Sequence, residues 1–479
     1  MIVGTASHAG KSILATAFCR ILRQQGTRVA PFKSQNMALN SYVCSDGAEI
    51  GRAQAAQAEA AGLNPEVDMN PILLKPANNQ IQVVLHGRVY GTMTASEYYE
   101  QKSFFFDKSL ESFQRLATRF DVIILEGAGS AAEVNLKNRD IVNLPFAKAV
   151  KSRALLVADI DRGGVFASVV GTFALLEEDE RDLICGFVIN RFRGDMRLFS
   201  GGIEFLEGRT GRPCLGVLPY LEDLRIDQED SVSLQDRRTS RGSFRVGVIR
   251  LPHISNYTDF NPLECISDVA VEYLNEPRDA SNLDLLIIPG SKNTIADLRW
   301  LMQRGFKRLV FDTLENGGWV LGICGGYQIL GRRVSDPHGT EEGGAESGFD
   351  LLPVETELER NKVTVQSRGR SFLGPDVAGY EIHMGRTDYL KDVAPFIIKE
   401  DGTGDGALLG RVGGTYFHGL FDSADFTVKF LTGVAETRKL DWRPVVSRRS
   451  KDQEYDRLAA VVREHLDMKR IYALVEKGN

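Results

Sequence analysis

The sequence predicts an α/β protein made of two parallel-sheet domains in succession. Continuous apolar runs at 121–130, 154–164 and 184–195 are each followed by a glycine-rich turn and a helix-like stretch. This is the pattern of strands buried on both faces of a parallel sheet. The same alternation resumes with runs at 244–252, 283–291 and 317–326. A chain of 479 residues is also too long for one core.

A polar, charged stretch from Glu222 to Ser243 is poor in large apolar residues, so we expect it to link the two domains rather than to pack. The first domain is accordingly placed over 1–235 and the second over 244–440. Residues 441–479 contain amphipathic sequence and are expected to form a helical C-terminal extension whose role is packing.

Composition excludes several classes of protein. Hydrophobic residues make up 43% and charged residues 25% of the chain, values typical of soluble globular proteins. The net charge of -6 provides no bulk positive field for nucleic acid or a membrane surface, so small molecules are the expected partners. Six scattered cysteines without a C-x-x-C pair argue against structural zinc and disulfides. With no signal segment or long apolar run, we expect a cytoplasmic protein.

A phosphate-binding loop is predicted from Gly4 to Ser12, GTASHAGKS, between a short strand and a helix-like stretch. Such a loop, which includes Thr5 and Gly10, directs backbone N–H groups at phosphates. Lys11 would add positive charge there, and the Ser12 hydroxyl would ligate Mg²⁺. Gly4 precedes Gly10 by six positions, one more than the common pattern. ATP with Mg²⁺ is the expected ligand.

Mg²⁺ on a triphosphate needs hard oxygen ligands, usually carboxylates at strand ends. Glu126 follows an apolar strand and would emerge at the carboxyl edge of the sheet. Asp46 precedes a glycine and is a weaker candidate because acidic residues there are usually turn formers. Asn190 ends another predicted strand and either reads the adenine base or caps a loop.

A second site is predicted at Gly322-Ile323-Cys324-Gly325-Gly326, a sharp strand-to-helix turn. Such a turn exposes a thiol at a helix N-terminus, where its nucleophilic form is favoured. The alternative is an inert core cysteine, which would not need flanking glycines. A cysteine nucleophile requires a base; His418 ends a strand-like segment, and His383 competes with it. Gly290 would offer a second flexible turn for an oxyanion hole.

The motifs together resemble the cobyric acid synthase family, glutamine-dependent amidotransferases of cobalamin biosynthesis. The resemblance covers nearly the whole chain and rests on these segments: GTASHAGKS, PFKSQNMALNSYV, DGAEIGRAQAAQA, ILEGAGSAAEVNL, DIVNLPFA, DIDRGGVFAS, LPHISNYTDFNPL, PGSKNT, GICGGYQILG, GYEIHMG and FHGLF. It implies a dethiobiotin-synthetase-like P-loop domain followed by a flavodoxin-like class I glutamine amidotransferase domain.

The resemblance also implies a reaction. ATP and glutamine would drive amidation of the b, d, e and g carboxylates of adenosylcobyrinic acid a,c-diamide, giving adenosylcobyric acid, with acyl phosphates as intermediates. Cobalt would enter only within the corrinoid substrate. Self-association into a homo-oligomer is left open.

Carried over by position, the resemblance makes Cys324 the nucleophile and His418 its histidine. Gly290 and Gly325 would serve the oxyanion and glutamine site. Further residues are assigned in the same way, namely Thr5, Gly10, Lys11, Ser12 and Asn190 at the nucleotide; Ser12, Asp46 and Glu126 at Mg²⁺; and Asn135, Asp140 and Asn143 at the corrinoid or acyl phosphate, with surface capping as the alternative for these last three.

Two departures from the family pattern stand out. Many class I amidotransferases carry His-x-Glu, but the residue two after His418 is Leu420, so the catalytic group is a dyad unless another carboxylate orients the imidazole. The chain also begins only three residues before Gly4, which shortens the first predicted strand and leaves the true start open.

Two alternative functions are weighed against this one. Cobyrinic acid a,c-diamide synthase performs the same chemistry on two other carboxylates, but QNMALNSYV and SNYTDFNPL favour the enzyme that makes four amides. A ParA-like ATP switch with an inactive amidotransferase-like domain would carry a signature lysine early in the loop, where this chain has Ala6.

Overall fold

The computed structural model of the protein describes residues 1–77, 80–221, 224, 226–227, 242–277, 283–446 and 450–476. Most of the predicted linker between 222 and 243 therefore lies outside the described residues. No helix in these ranges is long and apolar enough to cross a membrane.

The first half alternates strands and helices as predicted. Its helices are α1 Lys11–Gln24, α2 Arg52–Ala61, α3 Ala95–Glu100, α4 Lys102–Ala117, α5 Leu144–Ala149, α6 Val165–Leu175, α7 Glu178–Leu183 and α8 Met196–Thr210. Its strands are β1 Ile2–Gly4, β2 Val29–Phe32, β3 Gln35–Met37, β4 Ser41–Val43, β5 Glu49–Gly51, β6 Ile72–Ala77, β7 Gln80–Leu85, β8 Arg88–Met93, β9 Val122–Leu125, β10 Ala154–Asp159, β11 Ile184–Phe192 and β12 Cys214–Pro219.

The main sheet of this half is parallel, as the continuous apolar runs predict. Strands β1, β10, β11 and β12 pair in that order, and β2 pairs with β9. Ile2 bridges in parallel to Glu126 just after β9, so the two sets meet at β1. The carboxyl ends of β1 and β9 are therefore neighbours, which brings the phosphate loop next to Glu126. Smaller strands β3 and β6–β8 form a side sheet, and β4 with β5 forms a hairpin.

The second half is built around another largely parallel sheet. Its helices are α9 Thr294–Arg304, α10 Phe306–Glu315, α11 Gly325–Leu330 and α12 Ala424–Thr437. Its strands are β13 Phe244–Ile249, β14 Ile254–Ser255, β15 Ile266–Ser267, β16 Val269–Leu274, β17 Leu285–Ile288, β18 Gly290–Ser291, β19 Trp319–Ile323, β20 Arg333–Asp336, β21 Gly344–Ser347, β22 Val354–Ser371, β23 Asp376–Tyr389, β24 Ile397–Lys399, β25 Gly404–Asp405, β26 Ala407–Leu409, β27 Val412–Thr415 and β28 Phe417–His418.

Cys324 lies at the centre of this sheet. The strand order is β16-β13-β17-β19-β27-β26, and only the edge strand β26 is antiparallel. Cys324 directly follows β19, the inner strand between β17 and β27, so it stands at the carboxyl edge where open α/β sheets place their sites. Gly290 follows the neighbouring strand β17.

A long antiparallel hairpin, β22 and β23, is absent from the sequence-based expectations. It pairs Val354 with Tyr389 at one end and Arg370 with Asp376 at the other. Toward both ends of β22, buried positions alternate with half-buried or exposed ones, and the sequence lacks the continuous apolar runs that identify core strands. The hairpin lies against the first half, since the Tyr380 hydroxyl donates to the Ser41 carbonyl at 3.3 Å.

The C-terminal segment returns to the first half of the chain. A short strand β29, Val445–Val446, pairs with β15, and helices α13 Lys451–His465 and α14 Met468–Glu476 follow. Tyr455, Leu458 and Val462 of α13 belong to the same buried cluster as Ile2 and Leu14. Arg20 of α1 donates to Asp456 at 2.7 Å and to Asp452 at 2.9 Å. The extension therefore covers the nucleotide-binding half rather than the half that precedes it in sequence.

Candidate active sites

Cys324 occupies a strained turn between β19 and α11. Its backbone has φ 53° and ψ −109°, a conformation that non-glycine residues adopt mainly at functional sites. Its amide donates to the Thr415 carbonyl at 2.8 Å. A Cβ on Gly326 would lie 1.9 Å from the Ile288 carbonyl oxygen, so the elbow packs against β17 only because glycine stands there. The thiol is 5% exposed and donates to the Ile382 carbonyl at 3.4 Å.

His418 is oriented by Asp259, a residue that the sequence analysis did not select. The Nδ1 of His418 lies 2.7 Å from Oδ2 of Asp259, and the other carboxylate oxygen accepts the Gly419 amide at 2.9 Å. Both side chains are buried. Asp259 lies on the short helical turn Tyr257–Phe260 and takes the place of the glutamate that the family pattern puts at position 420. Cys324, His418 and Asp259 thus form a Cys-His-Asp arrangement, and its catalytic role stays a prediction.

The electrostatics of this group favour a charged imidazole. Burial alone would lower the pKa of His418, but the Asp259 carboxylate and the neighbouring Cys324 together raise it to about 10. A carboxylate behind a histidine stabilises the imidazolium that forms when the nucleophile loses its proton. The arrangement therefore suits a thiolate and imidazolium pair.

The competing histidine has a different environment. Nδ1 of His383 lies 2.8 Å from the Gly385 carbonyl, and its ring stacks on Tyr416 with centroids 3.8 Å apart.

Two glycines pack close to the elbow. Gly290 lies against His418, since a Cβ there would lie 3.1 Å from Cε1 of that histidine. Gly325 packs on the next turn, with a hypothetical Cβ 2.9 Å from the Ser291 amide nitrogen. The oxyanion and glutamine roles of both glycines stay predictions.

A cavity opens beside Cys324, and both halves of the chain line it. The residues around it are Lys75, Ser255, Asn256, Ser291, Lys292, Thr294, Cys324, Gly325, Gln328, Glu341, Leu358, Lys362, Ile382, His383 and Met384. Lys75 belongs to β6 of the first half, and its ammonium donates to the Ser41 hydroxyl at 2.7 Å. It also pairs with Glu49, which binds Lys362 of the second half at 2.5 Å. The first half therefore completes this wall.

The phosphate loop has the geometry predicted for it. Lys11 opens α1, and its ammonium donates to the carbonyls of Ala6 at 2.9 Å and Gly129 at 2.8 Å. The Thr5 amide donates to the Val157 carbonyl at 3.0 Å, which fixes the loop to β10. The loop borders a cavity of about 480 Å³.

Glu126 is the acidic centre of this second cavity. Its carboxylate accepts hydrogen bonds from Ser12 at 2.7 Å, Lys33 at 2.9 Å and Gln57 at 2.5 Å. Burial would raise the pKa of Glu126, but Lys33 and the hydrogen bonds hold it below its usual value, so the group is ionised. A hydroxyl and a carboxylate side by side fit a hard cation such as Mg²⁺.

Asp46 does not join Ser12 and Glu126, which corrects the expectation that both carboxylates stand together. It lies exposed in the turn of the β4–β5 hairpin, where its carboxylate accepts the Ala48 amide at 3.0 Å. A Cβ on the adjacent Gly47 would lie 2.9 Å from the Thr364 carbonyl of β22. Asp46 thus forms a turn that faces the other half of the chain. No group of three or more His, Cys, Asp or Glu side chains in the described ranges could hold a metal.

Asn190 holds the phosphate loop in place. Its side-chain amide donates to the Ala9 carbonyl at 2.9 Å, and a Cβ on Gly10, which has φ 108°, would lie 2.0 Å from that amide nitrogen. This contact matches the loop-capping alternative. A contact with the adenine base stays a prediction.

The three residues assigned to the corrinoid or acyl phosphate divide into two groups. Asp140 and Asn143 line the cavity of the phosphate loop, but their side chains are engaged: Asp140 accepts the Val142 amide at 2.7 Å, and Asn143 accepts the Ala128 amide at 3.1 Å. They brace the segment after Glu126. Asn135 is exposed and is not among the residues that line this cavity. Capping accounts for the first two, and substrate contact stays a prediction for all three.

Comparison with known proteins decides the family. Residues 1–234 match the CobQ/CobB/MinD/ParA nucleotide binding domain, and residues 245–426 match the CobB/CobQ-like glutamine amidotransferase domain. A cobyric acid synthase of Syntrophobacter fumaroxidans is 46% identical, with 99% of this chain and 98% of the relative covered. The chain belongs to the cobyric acid synthase family. The same name belongs to relatives from Caldanaerobacter subterraneus, 47% identical over 100% of this chain and 98% of theirs, and Sorangium cellulosum, 46% identical over 98% and 96%.

These matches confirm the predicted family and fold class. They also confirm the predicted pairing of a nucleotide-binding domain with a glutamine amidotransferase domain. These relatives carry the name of the cobyric acid enzyme and not that of the a,c-diamide synthase. A solved glutamine amidotransferase covers 41% of this chain and 99% of its own, at 15% identity and a TM-score of 0.32.

Proposed function

We propose that this chain makes adenosylcobyric acid by amidating the b, d, e and g carboxylates of adenosylcobyrinic acid a,c-diamide, with glutamine as the nitrogen donor and ATP as the activating substrate. The observation that supports this most directly is the presence of two separate reaction centres in one family-matched chain. One is the Cys324, His418 and Asp259 group, and the other is the phosphate loop with Glu126. The cytoplasm as its location and self-association stay predictions.

The amidotransferase centre would release ammonia from glutamine. The Cys324 sulfur attacks the side-chain amide carbon, the C–N bond breaks, and His418 passes its proton to the leaving nitrogen. A glutamyl thioester remains on Cys324. Water, deprotonated by His418, then cleaves the C–S bond and releases glutamate. Throughout, Asp259 holds the imidazole in one tautomer and orientation.

The synthetase centre would activate a corrinoid carboxylate, which at neutral pH is a poor electrophile. A carboxylate oxygen attacks the γ-phosphorus of ATP, the bond to the β,γ-bridging oxygen breaks, and ADP leaves. Ammonia then attacks the acyl carbon and inorganic phosphate leaves. Lys11 and the loop amides would hold the phosphates. Ser12 and Glu126 would hold Mg²⁺, which neutralises phosphate charge when bound.

The two centres share one segment of chain, which supports their acting together. Glu49 binds Lys362 at the edge of the cavity beside Cys324. Glu49 lies in β5, which is followed directly by α2. Gln57 of α2 donates to Glu126. A sheltered route for ammonia along this junction would keep the acyl phosphate from water.

The proposal is tested by incubating the protein and adenosylcobyrinic acid a,c-diamide with ATP, Mg²⁺ and glutamine. The corrinoid products are then identified by mass spectrometry. Four additions of amide nitrogen per corrinoid are expected. Two additions to cobyrinic acid itself would favour the a,c-diamide synthase, and glutamine left unhydrolysed would contradict the proposal. Ammonium chloride in place of glutamine serves as the matched control, since it bypasses Cys324 only.

A further inference from the structure

Two opposite charges in the cavity beside Cys324 lack counter-ions among the described residues. Lys75 and Lys362, which also line it, both pair with Glu49. Lys292 and Glu341 line the same cavity and are partly buried. Among the described residues, neither has a counter-ion within 4 Å. The second half thus presents a cation and an anion that the described residues leave without counter-ions, at a cavity that also reaches Cys324.

The backbone at Lys292 and the carboxylate of Glu341 are held in place by the elements around the elbow. Lys292 follows β18, and its amide donates to the His253 carbonyl at 2.9 Å. Glu341 lies in the loop between β20 and β21, and its Oε2 accepts the Thr294 amide at 2.6 Å. That amide is at the first residue of α9. The carboxylate of Glu341 is therefore fixed by a backbone amide, and the backbone from which the Lys292 side chain extends is fixed as well.

Each charge is costly without a partner. Burial lowers the pKa of Lys292, and Glu341 offsets this only partly. Burial raises the pKa of Glu341 to about 7, although Lys292 and the Thr294 amide act against it. The two groups feel each other, yet they remain too far apart to pair. A ligand carrying both charges would relieve the cost on each side.

We propose that Lys292 and Glu341 are the specificity residues for the amino-acid end of glutamine: Lys292 binds the α-carboxylate and Glu341 binds the α-ammonium. The inference rests on the proposed function, since it requires the side-chain amide to lie at Cys324. Glutamine then carries its reacting carbon and both of its charges into one cavity, and the cavity rejects amides that lack either charge.

Substrate analogues that lack one charge test each assignment separately. Glutaramate lacks the α-ammonium, and 4-aminobutanamide lacks the α-carboxylate. The variants are Glu341→Gln and Lys292→Met. The readouts are the KM for glutamine and the competitive inhibition constant of each analogue, measured by glutamate release.

We expect each variant to raise the KM for glutamine by roughly 10- to 100-fold, the worth of one charge-assisted hydrogen bond. Glu341→Gln should leave the inhibition constant of glutaramate unchanged, and Lys292→Met should leave that of 4-aminobutanamide unchanged. Glu342→Gln is the matched control, because Glu342 is the exposed neighbour of Glu341, pairs with Arg299 at 3.6 Å and does not line the cavity.

Two results would overturn the assignment. One is an unchanged KM for glutamine in both variants, and the other is an equal loss for glutamine and for the analogue that lacks the matching charge. Synthesis from ammonium chloride should proceed normally in both variants, which shows that they are folded. If the unsubstituted protein releases no glutamate from glutamine, the proposed function itself fails, and the inference with it.

Discussion

The Asp259 carboxylate lies 2.7 Å from Nδ1 of His418, although 159 positions separate them in the chain. The contact joins the segment after β14 to the end of β28. That segment also touches the first half, because the neighbouring Asn256 accepts the Ser41 amide at 3.0 Å and the Tyr257 amide donates to Asn40 at 3.2 Å. One short turn therefore positions His418 and contacts the first half of the chain.

Replacing Asp259 by Asn should shift the pH profile of glutamine hydrolysis. Against the effect of burial, the Asp259 carboxylate and Cys324 together raise the pKa of His418 to about 10, so loss of the carboxylate lets the imidazolium deprotonate at lower pH. The alkaline limb of kcat/KM should move down, and kcat should fall roughly 10²- to 10⁴-fold. Glutamate release measured from pH 6 to 11 checks this. An unmoved alkaline limb would mean that Asp259 serves only packing.

Replacing Cys324 by Ala should separate the two half-reactions. Without the sulfur no thioester forms, so glutamine-dependent amidation should be lost. Synthesis from ammonium chloride should continue at a rate close to that of the unsubstituted protein. Corrinoid products quantified with each nitrogen donor provide the measurement. Cys265→Ala, another buried cysteine, is the control and should retain both activities.

Replacing Lys11 by Met should impair amidation but spare the hydrolysis of glutamine. Because its ammonium would stabilise phosphate charge, amidation should fall at least about 10²-fold with either donor. Glutamate release by Cys324 should persist. Lys108→Met is a suitable comparison, since Lys108 is paired with Glu111 on the surface of α4. Normal amidation in Lys11→Met would contradict the placement of the nucleotide.

Replacing Arg20 by Met should weaken the attachment of α13 to α1. The Arg20 side chain is 9% exposed and binds two aspartates that are 68% and 49% exposed. Solvent screens these partners, so we expect a loss of only about 1 kcal/mol in the free energy of unfolding. Thermal unfolding measures it. Arg23→Met should cost less, since Arg23 is 43% exposed and lies 3.9 Å from Asp452; an equal cost would contradict the assigned contact.

Sequence patterns predicted those parts of the two sites that are formed by residues close together in the chain. The phosphate loop and the Cys324 elbow each combine a strand, a glycine turn and a helix within a dozen residues or so, and Glu126 follows directly from its strand. Their places in the structure agree with the expected geometry. The parallel order of the strands also follows from continuous apolar runs, because such runs are buried on both faces.

Contacts between residues far apart in the chain could not be predicted in this way. No local pattern marks Asp259 as the partner of His418, although the segment SNYTDFNPL was recognised as part of the family resemblance. Its one signal was the missing glutamate at Leu420, which indicates that another carboxylate is needed. Asp46 was assigned to Mg²⁺ with a turn as the alternative, and a turn is what it forms. The β22–β23 hairpin has an alternating polar sequence that a search for buried strands overlooks.

The return of α13 and α14 to the nucleotide-binding half limits how the protein can be divided. A recombinant fragment that stops at 235 would leave Ile2, Leu14 and their neighbours in contact with water, and it would be prone to aggregate. Supplying residues 450–476 as a separate peptide, or fusing them to the fragment by a flexible linker, would restore the missing cover. The two catalytic halves are therefore best separated by point substitution rather than by truncation.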